Sequence, residues 1–240
     1  IVVSPQNTEK GLADGIGTAA DYVVIRSGIE LDRFGHPAIG RDETRRAWGI
    51  PLGVPVVGTV TRLSAQKAPL DFVRAAAAIA QTRPDVWFVM VGDGDLRPQV
   101  EALATELGIR DRLVLTGLRR DVPELMAAFD IFALSSLWEG LPRVLPQAMA
   151  TGLPIVATAA DGTAEAVQQG VNGILTPPGE PMALAGMLLQ LLQNPTLAKQ
   201  MGEAGRARVD EFSDKRMVAQ IDALYRALLA AKGIKVENKE

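Results

Sequence analysis

The chain has 240 residues, 48% hydrophobic and 22% charged, with a net charge of −3; this is globular stock for one large domain or a medium domain with an appendage, and it lacks the basic field that would hold nucleic acid. With no cysteine and a single histidine, His36, it excludes disulfides, thiolate metal centres, cysteine nucleophiles and multi-histidine sites. No run approaches the ~20 apolar residues of a membrane span, and the opening IVVSPQNTEKG, which starts at Ile1, lacks the basic start and apolar core of a secretion signal and reads as beginning within a longer protein.

Residues 1–50 do not share the pattern of the rest. DYVVIRSGIELDRFG reads as one short strand and a turn, and RDETRRAWGI as a short helix. This segment is expected to be the end of a preceding domain plus a linker.

From residue 54 onward, apolar runs of strand length alternate with segments of helical spacing. VPVVGTV (54–60) precedes PLDFVRAAAAIAQTR, VWFVMVG (86–92) precedes LRPQVEALATELG, and RLVLTG (112–117) precedes VPELMAAF. DIFALS (130–135) precedes PRVLPQAMATG, LPIVAT (153–158) precedes TAEAVQQG, and NGILTP (172–177) precedes PMALAGMLLQLLQN. Strands that are apolar almost throughout, each followed by a helix, predict a six-stranded parallel sheet covered on both faces, a doubly wound, Rossmann-like α/β domain. Its bounds are expected at 51–194. Residues 195–231 predict two further helices, the last with Ser213 as N-cap and a stripe of Met217, Ile221, Leu224 and Leu228. Residues 232–240 predict a frayed tail.

Ligands of such sheets bind where strands end and loops enter helices. After the first strand, Arg62 and Lys67 crowd one helix start; a shared anion would relieve the conflict, and a pair of solvated surface cations is the alternative. After the second, Gly92 and Gly94 open a dinucleotide-like loop, but Arg97 stands where its last glycine belongs. Asp93 and Asp95 pair at metal-ligand spacing, although Asp95 is better read as the next helix's N-cap. After the fourth, Ser135, Ser136, Trp138, Glu139 and Gly140 cluster beyond what a cap needs, and Pro142 suits the first helical position, which leaves the amides of Arg143 and Val144 free for an anion. After the fifth, Asp161 and Thr163 read as helix caps.

Taken together in order, these loops resemble the C-terminal, donor-binding half of the group 1 (family four) retaining glycosyltransferases, one half of a GT-B fold. SGIELDRF resembles the family's interdomain Asn-Gly-Val-Asp segment, VTRLSAQKAP its basic loop, EGLPRVLPQ its Glu-x7-Glu motif, and DGTAEAV its Gly-Gly-x-Pro-Glu motif. The resemblance implies that Arg62 and Lys67 grip a nucleotide-sugar's diphosphate and offset leaving-group charge in place of a metal or other cofactor. It implies that Glu139 orients the donor sugar, that Gly140, Leu141, Arg143 and Val144 line the phosphates, and that Gly117 and Leu118 seat the base. Gln147 stands where the ribose-binding glutamate belongs, and Thr61, Ala68 and Asp161 stand where glycines are usual. The implied setting is cytoplasmic, with an acceptor (glycan, lipid or small molecule) bound by an N-terminal domain to which any peripheral membrane association also falls. This chain alone is expected to bind donor without transferring sugar. A non-catalytic nucleotide-sugar binder and a nicotinamide-dependent dehydrogenase are the alternative readings.

Overall fold

The computed structural model describes residues 1–234, so the tail expected over 232–240 lies, from residue 235 onward, outside the described residues. Helices α1 (Pro5–Ala13), α2 (Leu31–Gly35) and α3 (Arg41–Ala47) precede the sheet. There follow β1 (Val56–Val60), α4 (Pro69–Thr82), β2 (Trp87–Val91), α5 (Arg97–Glu106), β3 (Leu113–Gly117) and α6 (Val122–Ala127). The second half runs β4 (Ile131–Leu134), α7 (Val144–Thr151), β5 (Ile155–Thr158), α8 (Thr163–Ala166), β6 (Gly173–Thr176), α9 (Pro181–Gln193), α10 (Pro195–Arg208) and α11 (Asp214–Ala231).

The six strands are parallel and ordered β3-β2-β1-β4-β5-β6, so the predicted doubly wound sheet is present. Side-chain alternation explains why both faces must be covered. Val57, Phe88, Met90, Ile131, Ala133 and Val156 point into a core closed by α4, α5 and α9. Their neighbours Val56, Val89, Val91, Phe132, Leu134, Ile155 and Ala157 point the other way, onto Phe34, Leu125, Met126, Leu145 and Met149 from α2, α6 and α7. A strand apolar at every position thus feeds two cores by its period of two. Gly58 leaves room for the second core, since a Cβ there would lie 2.3 Å from the Phe129 ring.

Three expectations need correction. The strand expected within residues 21–35 does not form; Val24 makes a single bridge to Val2 and Ile29 another to Ser213, and α2 follows. Neither residue has a neighbouring strand to extend a ladder. Ser213 does cap α11 through the Arg216 amide, but the apolar stripe is only partly covered: Met217, Ile221 and Leu224 are half-buried and Leu228 is 52% exposed. Contact with the body concentrates at the start of this helix, where the Gly28 amide donates to Met217 Sδ at 3.1 Å and the Asp214 amide to the Ile29 carbonyl. The helix of Pro142 opens at Val144, because Pro142 first closes a turn with the Leu145 amide at 3.0 Å.

A buried arginine fastens the amino ends of β1 and β4. Arg45 is 1% exposed, and its guanidinium donates to the Ala128 carbonyl (2.8 Å), the Val54 carbonyl (2.9 Å) and Asp130 Oδ2 (2.7 Å). The same Asp130 oxygen accepts the Val56 amide at 2.7 Å, and its other oxygen accepts from Arg41. Burial pulls the Arg45 guanidinium below its ordinary pKa, while Asp130 works against that shift. Truncation would leave a half-buried carboxylate and backbone carbonyls without their donor. Arg45→Ala should therefore lower unfolding free energy by about 3–5 kcal/mol, read from urea unfolding curves; a loss below about 1 kcal/mol would show that the knot is dispensable.

Candidate functional site

The strand order reverses between β1 and β4: the chain leaves β1 toward β2 and β3, then returns to pair β4 on its other side. The loops after these two strands diverge there and open a crevice at the carboxyl edge of the sheet. A cleft of about 510 Å³ occupies it, lined by Val60, Arg62, Lys67, Leu118, Pro142 and Val144 among others. A larger cavity, about 700 Å³, lies at the opposite edge, where Pro55, Ile131 and Pro154 begin the strands. Its Arg41, Arg45 and Asp130 are engaged with one another and Arg206 with the Thr151 carbonyl. The smaller cleft is the one at the carboxyl edge, where the strand order reverses.

Arg62 is the first polar group on this cleft. It is exposed, and its side chain makes no hydrogen bond or ion pair among the described residues. Lys67 is different: its ammonium lies 2.5 Å from Glu139 Oε1. The conflict expected between two cations at one helix start is thus relieved on the Lys67 side by a carboxylate of the chain itself. Ala68, next along, adopts φ 43°, ψ 55°, left-handed values that cost a side-chain-bearing residue roughly 1 kcal/mol. Ser135 holds this turn by donating to the Lys67 and Ala68 carbonyls, each at 3.0 Å.

Glu139 is buried, its side chain 5% exposed. Ser136 Oγ donates to Oε1 at 2.6 Å alongside Lys67, and no described residue donates to Oε2. The Ser136 carbonyl is itself held by the Thr158 hydroxyl at the end of β5. The Glu139 amide donates to Asp161 Oδ2 at 2.9 Å, and Asp161 Oδ1 accepts from Lys10 of α1 at 2.5 Å. Lys10 and the Glu139 amide hold Asp161 below the ordinary carboxylate range, against the effect of its burial. The loops touch through backbone as well: a Cβ on Gly162 would lie 1.9 Å from the Gly140 carbonyl oxygen.

Beyond Glu139, the amides of Gly140, Leu141, Arg143 and Val144 find no acceptor among the described residues. They lead into α7, whose dipole favours an anion. Arg143 turns its guanidinium to the Gly28 carbonyl at 3.1 Å. Gln147 lies one turn after Arg143, on the same helix face and half-buried, and its side chain has no hydrogen bond among the described residues. Gly117 (φ 70°) ends β3 and swings Leu118, 82% exposed, to the cleft's rim. Arg62, Lys67, Leu118, Arg143 and Val144 thus line one cleft; Glu139 adjoins it through Lys67, while Gly117, Gly140, Leu141 and Gln147 are not among its lining residues.

Two cap assignments fail. Asp95 is exposed and has no hydrogen bond among the described residues; α5 starts after it, with Leu96 at the N-cap. Asp93 accepts instead from the Gly94 amide (2.8 Å) and Arg97 (3.3 Å). Neither Asp161 nor Thr163 caps α8, whose N-cap is Gly162. Asp161 is occupied by Glu139 and Lys10, while the buried Thr163 hydroxyl has no partner among the described residues. Lys10 was not visible as a site residue, since 151 positions separate it from Asp161. The bond of Ser136 to Glu139 was more accessible, because a Ser-x-x-Glu spacing brings the two within reach.

The open α/β sheet thus gathers, at its reversal crevice, a guanidinium and amides that have no partner among the described residues and that suit a small anion. The comparisons make the class specific. The model of "Glycosyl transferases group 1" matches residues 40–208, more than half of the chain; the chain belongs to that family. It is 32% identical over 206 residues to the UDP-Gal:alpha-D-GlcNAc-diphosphoundecaprenol alpha-1,3-galactosyltransferase of Escherichia coli, covering 84% of this chain and 53% of that protein. It is 34% identical over 221 residues to the D-inositol 3-phosphate glycosyltransferase of Corynebacterium urealyticum, covering 87% and 52%. The chain therefore spans about half the length of the relatives it matches. Among solved structures it superposes on Anabaena HepE, crystallised with UDP and glucose, with a TM-score of 0.86 and 29% identity over 94% of this chain and 62% of that one. The C-terminal domain of Francisella tularensis LpcC shares the fold, with a TM-score of 0.69 and 24% identity over 76% of this chain and 97% of that domain.

The hydroxyl of Ser136 is a buried donor to a charged acceptor. Its removal by Ser136→Ala should cost about 1.5–3 kcal/mol of stability in urea melts. A change within about 0.5 kcal/mol would mean that Lys67 alone holds Glu139.

Proposed function

We propose that the full-length protein transfers a sugar from a nucleoside diphosphate donor to an acceptor with retention of configuration, and that this chain carries the donor half of the site. The observation that carries the reading is the convergence on one crevice of Arg62 with the amides of Arg143 and Val144, which find no acceptor among the described residues. That arrangement suits a diphosphate, with Arg62 and α7 answering charge on the leaving group. Family membership and the HepE structures with UDP and with UDP-glucose favour it over a dehydrogenase or a non-catalytic binder. Arg97 in place of a fingerprint glycine further weakens the dehydrogenase.

In this reading Lys67 is shared between Glu139 and the diphosphate, and the free Oε2 of Glu139 takes a donor-sugar hydroxyl. Leu118 and the backbone of Gly117 seat the base, and Gln147 meets the ribose. No metal or other cofactor is needed for charge compensation, and Asp93, the nearest carboxylate lining the cleft, is engaged by Arg97 and the Gly94 amide. Residues 1–50 are the end of the acceptor domain and its linker, 51–194 the donor domain and 195–231 its trailing helices. The acceptor is bound by the other half, which also decides any attachment to a membrane surface; no helix among the described residues is long and apolar enough to cross one.

Because Arg62 has no other partner among the described residues, its variant isolates the phosphate contact more cleanly than one at Lys67. Arg62→Ala should weaken UDP binding by about 1.5–3 kcal/mol, as for hydrogen bonds to a charged group, and leave uridine unchanged in calorimetry; equal losses for both ligands would sink the assignment. Gln147→Glu should favour UDP over 2′-deoxy-UDP more than the parent does, because a carboxylate accepts from both ribose hydroxyls at once. Charge repulsion with the diphosphate is common to both ligands and cancels. An unchanged ribo-to-deoxy ratio would remove Gln147 from the ribose.

A further inference from the structure

Asp161 is an outlier among the site's neighbours. Its φ of 43° makes it one of two non-glycine residues with positive φ among the described residues, the other being Ala68. Family resemblance puts glycine at this position, so residue-by-residue transfer assigns Asp161 no role. Yet its carboxylate reaches across to the loop after β4 and accepts the Glu139 amide at 2.9 Å. Lys10 engages the other oxygen at 2.5 Å. Left-handed backbone tolerates aspartate better than most residues, but it still costs energy that glycine would avoid. A residue that keeps such a backbone while its side chain is mostly buried and doubly bonded has its conformation maintained by those bonds.

We propose that Asp161 is a positioning residue for Glu139: by accepting the Glu139 amide it fixes the main chain from which that carboxylate reaches the donor sugar. Three contacts then define Glu139. Ser136 and Lys67 hold one carboxylate oxygen, and Asp161 holds the backbone behind it. Both Asp161 oxygens are occupied, so its effect passes through Glu139 rather than through contact with the sugar. The proximity of Gly162 to the Gly140 carbonyl restrains the same loop from its next residue. Lys10 supplies the compensating charge that lets Asp161 stay ionised where it is packed. This inference rests on the reading of Glu139 as the donor-sugar contact.

The test is calorimetry of the 240-residue chain with UDP-glucose and with UDP, reported as the ratio of their dissociation constants. The variants are Glu139→Gln, Asp161→Gly and Asp161→Asn. Glycine relieves the positive φ, so Asp161→Gly is expected to keep the fold, which circular dichroism and a thermal melt verify. Asp161→Gly should shift the ratio against UDP-glucose by about five- to tenfold, with UDP affinity changed less than about twofold. Asp161→Asn retains an oxygen acceptor for the Glu139 amide and should restore most of the parent ratio. The proposal is overturned if Asp161→Gly leaves the ratio at its parent value while Glu139→Gln shifts it, or if Asp161→Gly weakens both ligands equally. A ratio unmoved by Glu139→Gln overturns the underlying sugar-contact reading, and the proposal with it.

Discussion

Glu139 can be buried as a carboxylate only if its charge is answered where it sits, since an isolated ionised group in a protein interior costs many kcal/mol. Much of the architecture around the crevice follows from that demand. The ammonium of Lys67 comes from the loop after β1, the Ser136 hydroxyl from its own loop, and the acceptor for its amide from Asp161 after β5. Three strand ends are thereby tied to one side chain. The ties are polar and local to the carboxyl edge, where a ligand can compete for them, rather than part of the apolar cores.

The two edges of the sheet solve opposite problems. At the amino edge, Arg45 and Asp130 close on each other and on the backbone, which leaves the pair itself little to offer a ligand. At the carboxyl edge, the amides running into α7 and the guanidinium of Arg62 lack partners among the described residues. Parallel strands make this asymmetry available, because all their carboxyl ends lie on one edge and successive helices begin there. In the proposed reading a diphosphate satisfies these donors, and so couples ligand binding to a deficit in the folded chain.

The departures from the family's glycines gain a physical meaning in three dimensions. Positions 68 and 161, where the resemblance puts glycines, are the two among the described residues at which side-chain-bearing residues adopt positive φ. At Ala68 the conformation is supported by Ser135, which bonds the Lys67 and Ala68 carbonyls. At Asp161 the new side chain has found partners of its own in Lys10 and the Glu139 amide. Thr61 differs: its carbonyl oxygen approaches Gly92 so closely that a Cβ at 92 would lie 1.9 Å away, which places the need for glycine on the facing strand end.

The six strands, the helices between them and the covering of both faces were legible in the amino-acid sequence, because alternation of apolar runs with helical spacing is a local signal. Arg62, Lys67 and Glu139 were legible as strand-end residues for the same reason: their positions after apolar runs place them at the carboxyl edge of any parallel sheet. Sequence alone did not decide how those charges pair. That Lys67 faces Glu139, that Asp161 bonds across to the Glu139 amide instead of capping α8, and that Lys10 reaches Asp161 across 151 residues depend on which strands become neighbours. The reversal of strand order between β1 and β4 is set by the packing of two cores at once. Contacts across it join residues far apart in the chain, so no local pattern encodes them.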